Sequence, residues 1–256
     1  MAIAIITGAS SGLGKDFATQ ISALQNVDEL WLIARRKQRL EDLASAISKP
    51  CRVFSVDLAS EDGLKEYKSI LEENKPQVNY LVNAAGFGKY GSYKVVDTEI
   101  AFKMIDLNVK ALLFITQETL PYMGKGSHII QMGSASTYHP LPNLNVYAST
   151  KSFVRHYSYA LAYELADRGI SVTTVCPGWV KTEFFDNANI DSTSDKSFTH
   201  PMVLSSDVVK KAIRDANRGK KLSQYAAFNR LHSALARVLP RGFMIALWNN
   251  MQKKAK

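Results

Sequence analysis

The chain has little cysteine and no long apolar segment. Cys51 and Cys176 are the two cysteines among its 256 residues, and they lack the spacing of a metal site. Both adjoin apolar segments, which predicts buried, inert thiols and no bound metal. No apolar run reaches the roughly 18 residues that indicate a membrane-spanning helix, and no leader peptide precedes the first apolar segment. We therefore expect a cytoplasmic protein.

Acidic residues are almost absent from the end of the chain. Residues 210–256 contain twelve Lys or Arg and one acid, Asp215, so this part alone carries +11, whereas the whole chain carries +9. Residues 229–256, called the basic tail below, have the pattern of two helices separated near Pro240 and Gly242. The second predicted helix is apolar along most of its length and basic at its ends.

The basic tail allows several interpretations. The favoured one is a helical pair that packs across a substrate cleft, or against a neighbouring subunit of a homodimer or homotetramer. A second is contact with a membrane surface, because basic amphipathic helices with Trp and Phe lie in lipid interfaces. A third is docking of an acidic partner, such as an acyl carrier protein or the phosphates of coenzyme A. Nucleic acid is disfavoured because no recognised binding module accompanies the charge.

Short apolar segments alternate with helical patterns along the rest of the chain. Strands are predicted near residues 2–6, 29–34, 51–56, 78–83, 127–132 and 170–175, with a possible short strand near 222–227. This alternation is typical of the α/β class, with a doubly wound parallel sheet and helices on both faces. The length suits one large domain over residues 1–256, with a C-terminal helical extension.

A glycine-rich turn follows the first predicted strand. Gly8, Gly12 and Gly14 stand between that strand and a helix, and glycines in such a turn let the backbone approach a pyrophosphate at the helix N-terminus. A plain turn is the ordinary alternative, and the spacing Gly-x-x-x-Gly-x-Gly is a variant of the commoner dinucleotide fingerprint. Ser10, Ser11 and Leu13 lie within the same turn.

The end of the second predicted strand carries arginines where an acid is common. NAD-binding folds usually place an acid at this point, to hold the ribose 2′-hydroxyl. Here Ala34 ends the strand and is followed by Arg35 and Arg36, whose guanidinium groups suit a phosphate. A solvated first helical turn is the alternative interpretation, and it fits Arg39 better. The pattern predicts NADP(H).

Tyr147 and Lys151 lie four residues apart on a predicted helix, which places both side chains on one face. An ammonium beside a phenol is expected to lower the pKa of the tyrosine, so that Tyr147 exchanges a proton with a carbonyl or an alcohol. Ser134 stands thirteen residues before Tyr147, at the end of an apolar strand, where its hydroxyl would face the ligand crevice. Ser136 is an alternative donor in the same turn, and a serine in a turn is more often a cap than a catalyst.

These segments together resemble the short-chain dehydrogenase/reductase family over about residues 1–220. The resemblance implies a Rossmann-type fold and assigns catalysis to Asn108, Ser134, Tyr147 and Lys151. It assigns cofactor binding to Gly8, Ser10, Ser11, Gly12, Leu13, Gly14, Arg35, Arg36, Asp57, Leu58, Asn83, Ala84, Ala85, Gly86, Tyr147, Lys151, Pro177, Gly178, Val180 and Thr182.

The resemblance also implies individual roles. Asp57 and Leu58 would contact adenine, residues 83–86 would steady the central sheet, and residues 177–182 would form the loop beside nicotinamide. Asn108 would bind a water that connects Lys151 to solvent.

The expected activity is NADPH-dependent hydride transfer between nicotinamide and a carbonyl or secondary alcohol. Residues 183–206 would form a substrate lid, and an apolar or acyl-type substrate, such as a 3-oxoacyl thioester, suits its candidate contacts: Phe184, Phe185, Phe198 and Met202. Ordinary packing in a surface loop would explain those residues equally well. A non-catalytic, cofactor-sensing or interaction module on the same fold is the alternative function. The complete set of four catalytic-type residues argues against that module, because a sensor has no need of a proton donor.

Overall fold

Strands and helices alternate in the computed structural model, which describes residues 1–188 and 202–253. The strands are β1 (Ala2–Thr7), β2 (Glu29–Ala34), β3 (Cys51–Ser55), β4 (Gln77–Asn83), β5 (His128–Met132), β6 (Ser171–Val175), β7 (Val180–Lys181), β8 (Val203–Leu204) and β9 (Leu222–Ser223). The α-helices are α1 (Gly12–Ile21), α2 (Lys37–Ala46), α3 (Glu61–Asn74), α4 (Thr98–Ile105), α5 (Leu112–Thr119), α6 (Asn145–Glu164), α7 (Phe184–Ala188), α8 (Ser205–Asn217), α9 (Ala227–Val238) and α10 (Arg241–Lys253). A π-helical turn, Asp106–Ala111, joins α4 to α5, and 3₁₀ turns occupy Leu120–Tyr122 and Ala135–Tyr138.

Seven of these strands form a parallel sheet in the order β3-β2-β1-β4-β5-β6-β9. Each strand predicted before residue 176 is confirmed to within one residue, and β9 is shorter than the strand considered near 222–227. The winding reverses between β1 and β4, where Thr7 pairs with Asn83. A doubly wound sheet binds its ligands at such a reversal, beyond the carboxyl ends of the strands. The predicted Rossmann-type α/β fold is therefore confirmed.

The helices cover both faces of the sheet. One apolar core lies beneath α1, α2 and α8, and a second lies beneath α3, α5 and α6. Because both faces are covered, β1 is apolar and almost wholly buried along its length. Edge strand β3 is less covered, so Cys51 is only half-buried, contrary to the prediction of a buried thiol. Cys176 is buried as predicted.

The basic tail forms the two predicted helices, α9 and α10. The break falls at Leu239 and Pro240, and Gly242 lies inside α10 rather than between the helices. Among the helices of the described residues, none combines the length and apolarity needed to cross a bilayer. In the same part of the chain, no group of three or more potential metal ligands comes together.

Candidate active site

The loop between β1 and α1 requires glycine for steric reasons. Gly8 has φ +68°, and a Cβ there would lie 2.7 Å from the backbone nitrogen of Ala85. A Cβ on Gly14 would lie 2.2 Å from the carbonyl oxygen of Gly8. Side chains are thus excluded on both sides of the turn, which leaves backbone N–H groups at the start of α1 open to an anion. This geometry fits the phosphate-binding role predicted for the loop.

Residues at the end of β4 are tied to β1 and to α5. Ala85 N donates to Thr7 Oγ1 at 3.2 Å, which links the loop after β4 to the end of β1. Asn83 is buried, and its Nδ2 donates to Thr116 Oγ1 at 3.0 Å. Gln131 of β5 donates to the same hydroxyl at 2.9 Å. These bonds place Asn83, with Ala84 and Ala85 after it, at the reversal of the sheet.

Arg36 lies against the glycine loop. Its Nε and Nη2 atoms donate to Ser10 Oγ at 3.2 and 3.1 Å, and Nη2 also donates to Ser11 Oγ at 2.6 Å. Its Nη1 pairs with Glu183 Oε2 at 3.0 Å. Arg39, one turn later on α2, donates to both carboxylate oxygens of Glu183, at 2.7 and 3.0 Å. The structure thus holds one carboxylate between two arginines, and Arg36 also contacts the two serine hydroxyls of the glycine loop.

Three further predicted cofactor residues follow neighbouring strands without joining that cluster. Within the described residues, the exposed Arg35 guanidinium makes no hydrogen bond or ion pair, although the Arg35 carbonyl accepts from Ser55 Oγ at 3.1 Å. Asp57 is exposed after β3 and its Oδ1 accepts from Ala59 N at 3.1 Å. Leu58 is buried beside it. Their contacts with a nucleotide remain predictions.

Asn108 is fully buried in the π-helical turn and bonded on both sides. Its Oδ1 accepts from Phe87 N at 3.0 Å, and its Nδ2 donates to Phe87 O at 2.9 Å and to Thr150 Oγ1 at 3.1 Å. A Cβ on Gly86 would lie 2.8 Å from Asn108 Oδ1 and 3.4 Å from Lys151 Nζ. Asn108 therefore joins the loop after β4 to α6, beside Lys151. Its water-binding role remains a prediction.

Tyr147 and Lys151 lie one turn apart on α6, as predicted. Lys151 Nζ donates to Met132 O at 2.8 Å and lies 5.8 Å from the centroid of the Tyr147 ring. Burial raises the pKa of Tyr147 to about 12, although the nearby Ser134 hydroxyl acts in the opposite direction. Burial also lowers the pKa of Lys151 to about 8.

The expected lowering of the Tyr147 pKa is therefore wrong for this structure. Removing the phenol from water disfavours the phenolate more strongly than the neighbouring groups favour it. The ammonium that was expected to favour the phenolate is directed at a backbone carbonyl instead. The result is a neutral phenol beside a lysine that loses its charge at a lower pH than usual.

Ser134 stands at the end of β5, where it caps a 3₁₀ turn. Its Oγ accepts from Ser136 N at 3.1 Å, and Ala135 N donates to Pro177 O at 2.8 Å. The Ser136 hydroxyl is buried and unpartnered within the described residues, and it lines the same cavity. The structure thus brings both serine candidates to the site, with Ser134 on the side of Tyr147.

The loop after β6 lies between the glycine loop and the basic tail. A Cβ on Gly12 would lie 3.3 Å from Thr182 Cγ2, so Thr182 is close to the start of α1. Thr182 Oγ1 accepts from Phe184 N at 3.3 Å at the beginning of α7. A Cβ on Gly178 would lie 2.2 Å from Asn229 Oδ1, so α9 packs directly on this loop.

Part of the predicted lid reaches Tyr147. The rings of Phe184 and Tyr147 have centroids 5.3 Å apart, and Phe184 and Phe185 both line the cavity beside Tyr147. Met202 packs against the small apolar cluster that contains Phe185. Phe198, like most of the predicted lid, lies outside the described residues.

A cavity of about 400 Å³ extends from these residues beneath the basic tail. Ser134, Tyr147 and Lys151 line it together with mostly apolar side chains of α9 and α10. Trp248 of α10 packs among residues 141–148, and its Nε1 donates to Pro142 O at 3.0 Å. The tail therefore covers part of the cleft of its own chain.

Some residues at the site carried no usable sequence signal. Glu183 meets Arg39 across 144 residues of sequence, and His139 meets His232 across 93, with their Nε2 atoms 3.0 Å apart. Asn229 likewise contacts Gly178, which is distant from it in the sequence. The proximity of Arg39 to Arg36 was predictable, because residues three positions apart lie on the same face of a helix.

The family comparison matches this geometry. A family model described as short chain dehydrogenase matches residues 2–193. Sulfoacetaldehyde reductase 2 of Chromohalobacter salexigens is 34% identical over 192 residues, which cover 71% of this chain and 74% of that protein. The family match contains the glycine loop and the four residues predicted as catalytic, and it ends before the basic tail.

Two solved structures extend the likeness into the tail. A short-chain dehydrogenase from Sphingobium yanoikuyae in complex with NADPH has a TM-score of 0.80 and 26% identity, with 95% of each chain covered. A bulky-bulky ketone specific alcohol dehydrogenase from Comamonas testosteroni has a TM-score of 0.73 and 25% identity, and covers 95% of this chain and 94% of its own.

Proposed function

This chain belongs to the short-chain dehydrogenase/reductase family and is an oxidoreductase, and from that premise we propose that it interconverts apolar ketones and secondary alcohols with NADP(H). The carrying observation is the position of Ser134, Tyr147 and Lys151 on the wall of a mostly apolar cavity. A proton donor and an oxyanion-binding hydroxyl at such a wall suit carbonyl reduction.

The residues present fit a phosphorylated dinucleotide. The glycine loop forms a backbone cradle that any Cβ would fill. Arg36, Ser10 and Ser11 supply hydrogen-bond donors beside it. Arg36 and Arg39 already bind one anion there, the carboxylate of Glu183. The NADPH complex of the relative from Sphingobium yanoikuyae supports the same cofactor for this chain. When bound, nicotinamide supplies or accepts the hydride.

The protein's own residues would manage the charge that develops on the carbonyl oxygen. The Ser134 hydroxyl would hold that oxygen, and Tyr147 would donate its phenolic proton to it. Because burial raises the pKa of Tyr147 to about 12, the phenol keeps this proton at neutral pH. Lys151 is charged below about pH 8 and its Nζ lies 5.8 Å from the centroid of the Tyr147 ring, so it would stabilise the phenolate once Nζ turns from Met132 O toward Tyr147. These states favour reduction at neutral pH, and oxidation is expected to need a higher pH.

The cavity supports a bulky apolar substrate. Beyond the residues predicted to bind the cofactor, the cavity is lined mostly by apolar side chains of α9 and α10, which suit an apolar substrate better than a small polar aldehyde. The alcohol dehydrogenase from Comamonas testosteroni, described as specific for bulky-bulky ketones, matches 95% of this chain and supports the same substrate class. A 3-oxoacyl thioester is one member of the class we propose.

A substrate screen tests this proposal directly. NADPH oxidation would be followed with ketones of increasing size and with 3-oxoacyl thioesters of increasing length, against sulfoacetaldehyde and glyceraldehyde. We expect kcat/KM to rise with apolar size. Highest activity on the small aldehydes would contradict the substrate class. Tight NADPH binding without turnover of any carbonyl would favour the non-catalytic, cofactor-sensing module instead.

The exposed apolar face of α9 supports a further proposal, that a second copy of the chain covers it in a homodimer or homotetramer. Phe228, Leu231, Leu235 and Val238 form one exposed face of α9, with Val238 78% exposed. Several of these side chains also line the cavity, so a neighbouring copy would help to enclose the substrate. Asp215 cannot offset the tail's positive charge, because it is buried and paired with lysines of the preceding segment.

Sedimentation velocity would test this assembly, with Val238→Asp as the disrupting variant. We expect a dimer or tetramer that the variant shifts toward monomer. A monomeric wild type that binds anionic vesicles at low salt and releases them at high salt would favour the membrane interpretation instead. A monomer that binds an acidic acyl carrier protein would favour the acidic partner.

A further inference from the structure

Glu183 occupies an unusual electrostatic position. Its carboxylate accepts from Arg36 at 3.0 Å and from Arg39 at 2.7 and 3.0 Å. These hydrogen bonds and the positive charge of the two arginines lower the pKa of Glu183, so it is ionised at neutral pH. Arg36 connects this ion pair to Ser10 and Ser11 of the glycine loop.

The same groups would recognise a phosphate on the cofactor ribose. A phosphate monoester prefers forked arginine donors and hydroxyl groups; Arg36 and Arg39 hold Glu183, and Arg36 also contacts the hydroxyls of Ser10 and Ser11. A carboxylate that already uses these donors competes with the phosphate, and two anions held by the same donors repel each other. Glu183 therefore opposes the cofactor group that the arginines attract.

We propose that Glu183 is an internal counter-ion for Arg36 and Arg39 that the 2′-phosphate of NADP(H) displaces. This inference rests on the proposed function, since it concerns the cofactor-binding half of the same site. A cofactor without the 2′-phosphate leaves the ion pair intact. Glu183 thus lowers the preference for NADP(H) below what the arginines alone would give.

Displacement of Glu183 would reach the substrate side of the site. Thr182 before it lies near Gly12, and Phe184 after it packs on the ring of Tyr147. Phe185 then contacts Trp179, with ring centroids 5.6 Å apart. Glu183 directly precedes Phe184, the residue that contacts Tyr147. If the phosphate displaces the Glu183 carboxylate from the arginines, Phe184 would move with it and change the wall of the cavity.

Binding of two cofactor fragments tests the counter-ion role without turnover. Adenosine 2′,5′-bisphosphate carries the 2′-phosphate and adenosine 5′-monophosphate lacks it, and calorimetry would give both dissociation constants. Glu183→Gln is expected to tighten the bisphosphate about three- to tenfold, the size of one partly screened charge interaction, and to leave the monophosphate unchanged. Glu183→Asp, which keeps the charge, should stay near wild type.

Glu41→Gln is the matched control, because Glu41 is also an acid near α2 but pairs with Lys37. It should change neither constant. Equal bisphosphate affinity of wild type and Glu183→Gln, with wild type still preferring the bisphosphate, would overturn the counter-ion role and leave the proposed cofactor standing. If the wild type does not prefer the bisphosphate over the monophosphate, both the counter-ion role and the proposed cofactor are wrong.

Trp179 fluorescence tests the link to the cavity wall. The bisphosphate should change the emission of the wild type, and the monophosphate should not. Trp179→Phe identifies the source of the signal among the three tryptophans of the chain. In Glu183→Gln the bisphosphate should produce a smaller change, because the contact is already released. An identical change in that variant would contradict the coupling.

Discussion

The glycine loop and the basic tail border the same cavity but are specified in different ways. The loop is fixed by backbone contacts so close that a single added carbon atom would collide with them. The tail is held by apolar packing, by Trp248 bonded to Pro142, and by the contact of Asn229 with Gly178. The family match includes the loop and ends before the tail.

This difference separates the residues expected to carry out the reaction from those expected to determine substrate specificity. Backbone geometry tolerates few residue types, so a loop built on it stays recognisable across relatives with different substrates. An apolar wall tolerates many side chains of similar volume, so it can change as the substrate changes. We therefore expect substitutions near β1 and α6 to affect every substrate, and substitutions in the tail to discriminate between substrates.

The largest effect is expected from removal of the proton donor. Tyr147→Phe should lower kcat for every ketone by about a thousandfold or more, the upper part of the range for general acids. NADPH affinity, measured by fluorescence, should change little because the ring remains. Lys151→Ala should impair both turnover and cofactor binding. Retention of a substantial fraction of the wild-type rate by Tyr147→Phe would assign the acid to another group.

Loss of Arg36 should be the next largest effect, and it should be confined to the cofactor. Arg36→Gln is expected to weaken NADPH about 10- to 100-fold, in line with charge-assisted hydrogen bonds, and to leave NADH almost unchanged. Arg35→Gln should act less strongly, because its guanidinium is not part of the cluster. Lys37→Gln removes a neighbouring charge as a control. Equal binding of both cofactors by wild type would refute the NADP(H) assignment.

The tail is tested by a variant that keeps the helices and removes one wall of the cavity. Trp248→Ala should lower kcat/KM for bulky ketones about tenfold, and should spare small ketones and NADPH affinity, because the lost contact is apolar. Tyr159→Ala, at an exposed aromatic outside the cavity lining, is the control. A uniform loss across all substrates would show that the tail supports the chemistry as well as the selection.

The smallest effect lies in the pH dependence. Lys151 is charged below about pH 8, so kcat/KM for reduction should be level near neutrality and fall above about pH 8 as that charge is lost. Tyr147 remains protonated throughout this range, because its pKa is about 12. If Lys151→Arg retains activity, its kcat/KM should not fall above about pH 8, because the guanidinium group stays charged. A decline centred below pH 7 would contradict the assignment.

Periodicity and spacing predicted most of the fold. The apolar segments predicted the strands, the glycines predicted the turn between β1 and α1, and the spacing of Tyr147 and Lys151 predicted that they share one face of α6. Each of these is a local property of the chain. The predicted break in the tail was also correct to within about two residues, because proline ends helices for local reasons.

Contacts between distant segments were not predictable in the same way. The pairing of Glu183 with Arg36 and Arg39 depends on how the segment between β7 and α7 folds over the start of α2. The pKa of Tyr147 was predicted in the wrong direction, because spacing reports neither burial nor the carbonyl that binds Lys151. Both are properties of the assembled site.

The π-helical turn that contains Asn108 has a consequence for insertions and deletions. One surplus residue in a helix rotates all later side chains by about 100° relative to an uninterrupted α-helix. Here that rotation allows Asn108 to face Thr150 while Ile115 of α5 still faces the core. Deletion of Val109 would restore a regular α-helix, and then either Asn108 would no longer face Thr150 or Ile115 would no longer face the core. The number of residues in this segment is therefore constrained together with the identity of Asn108.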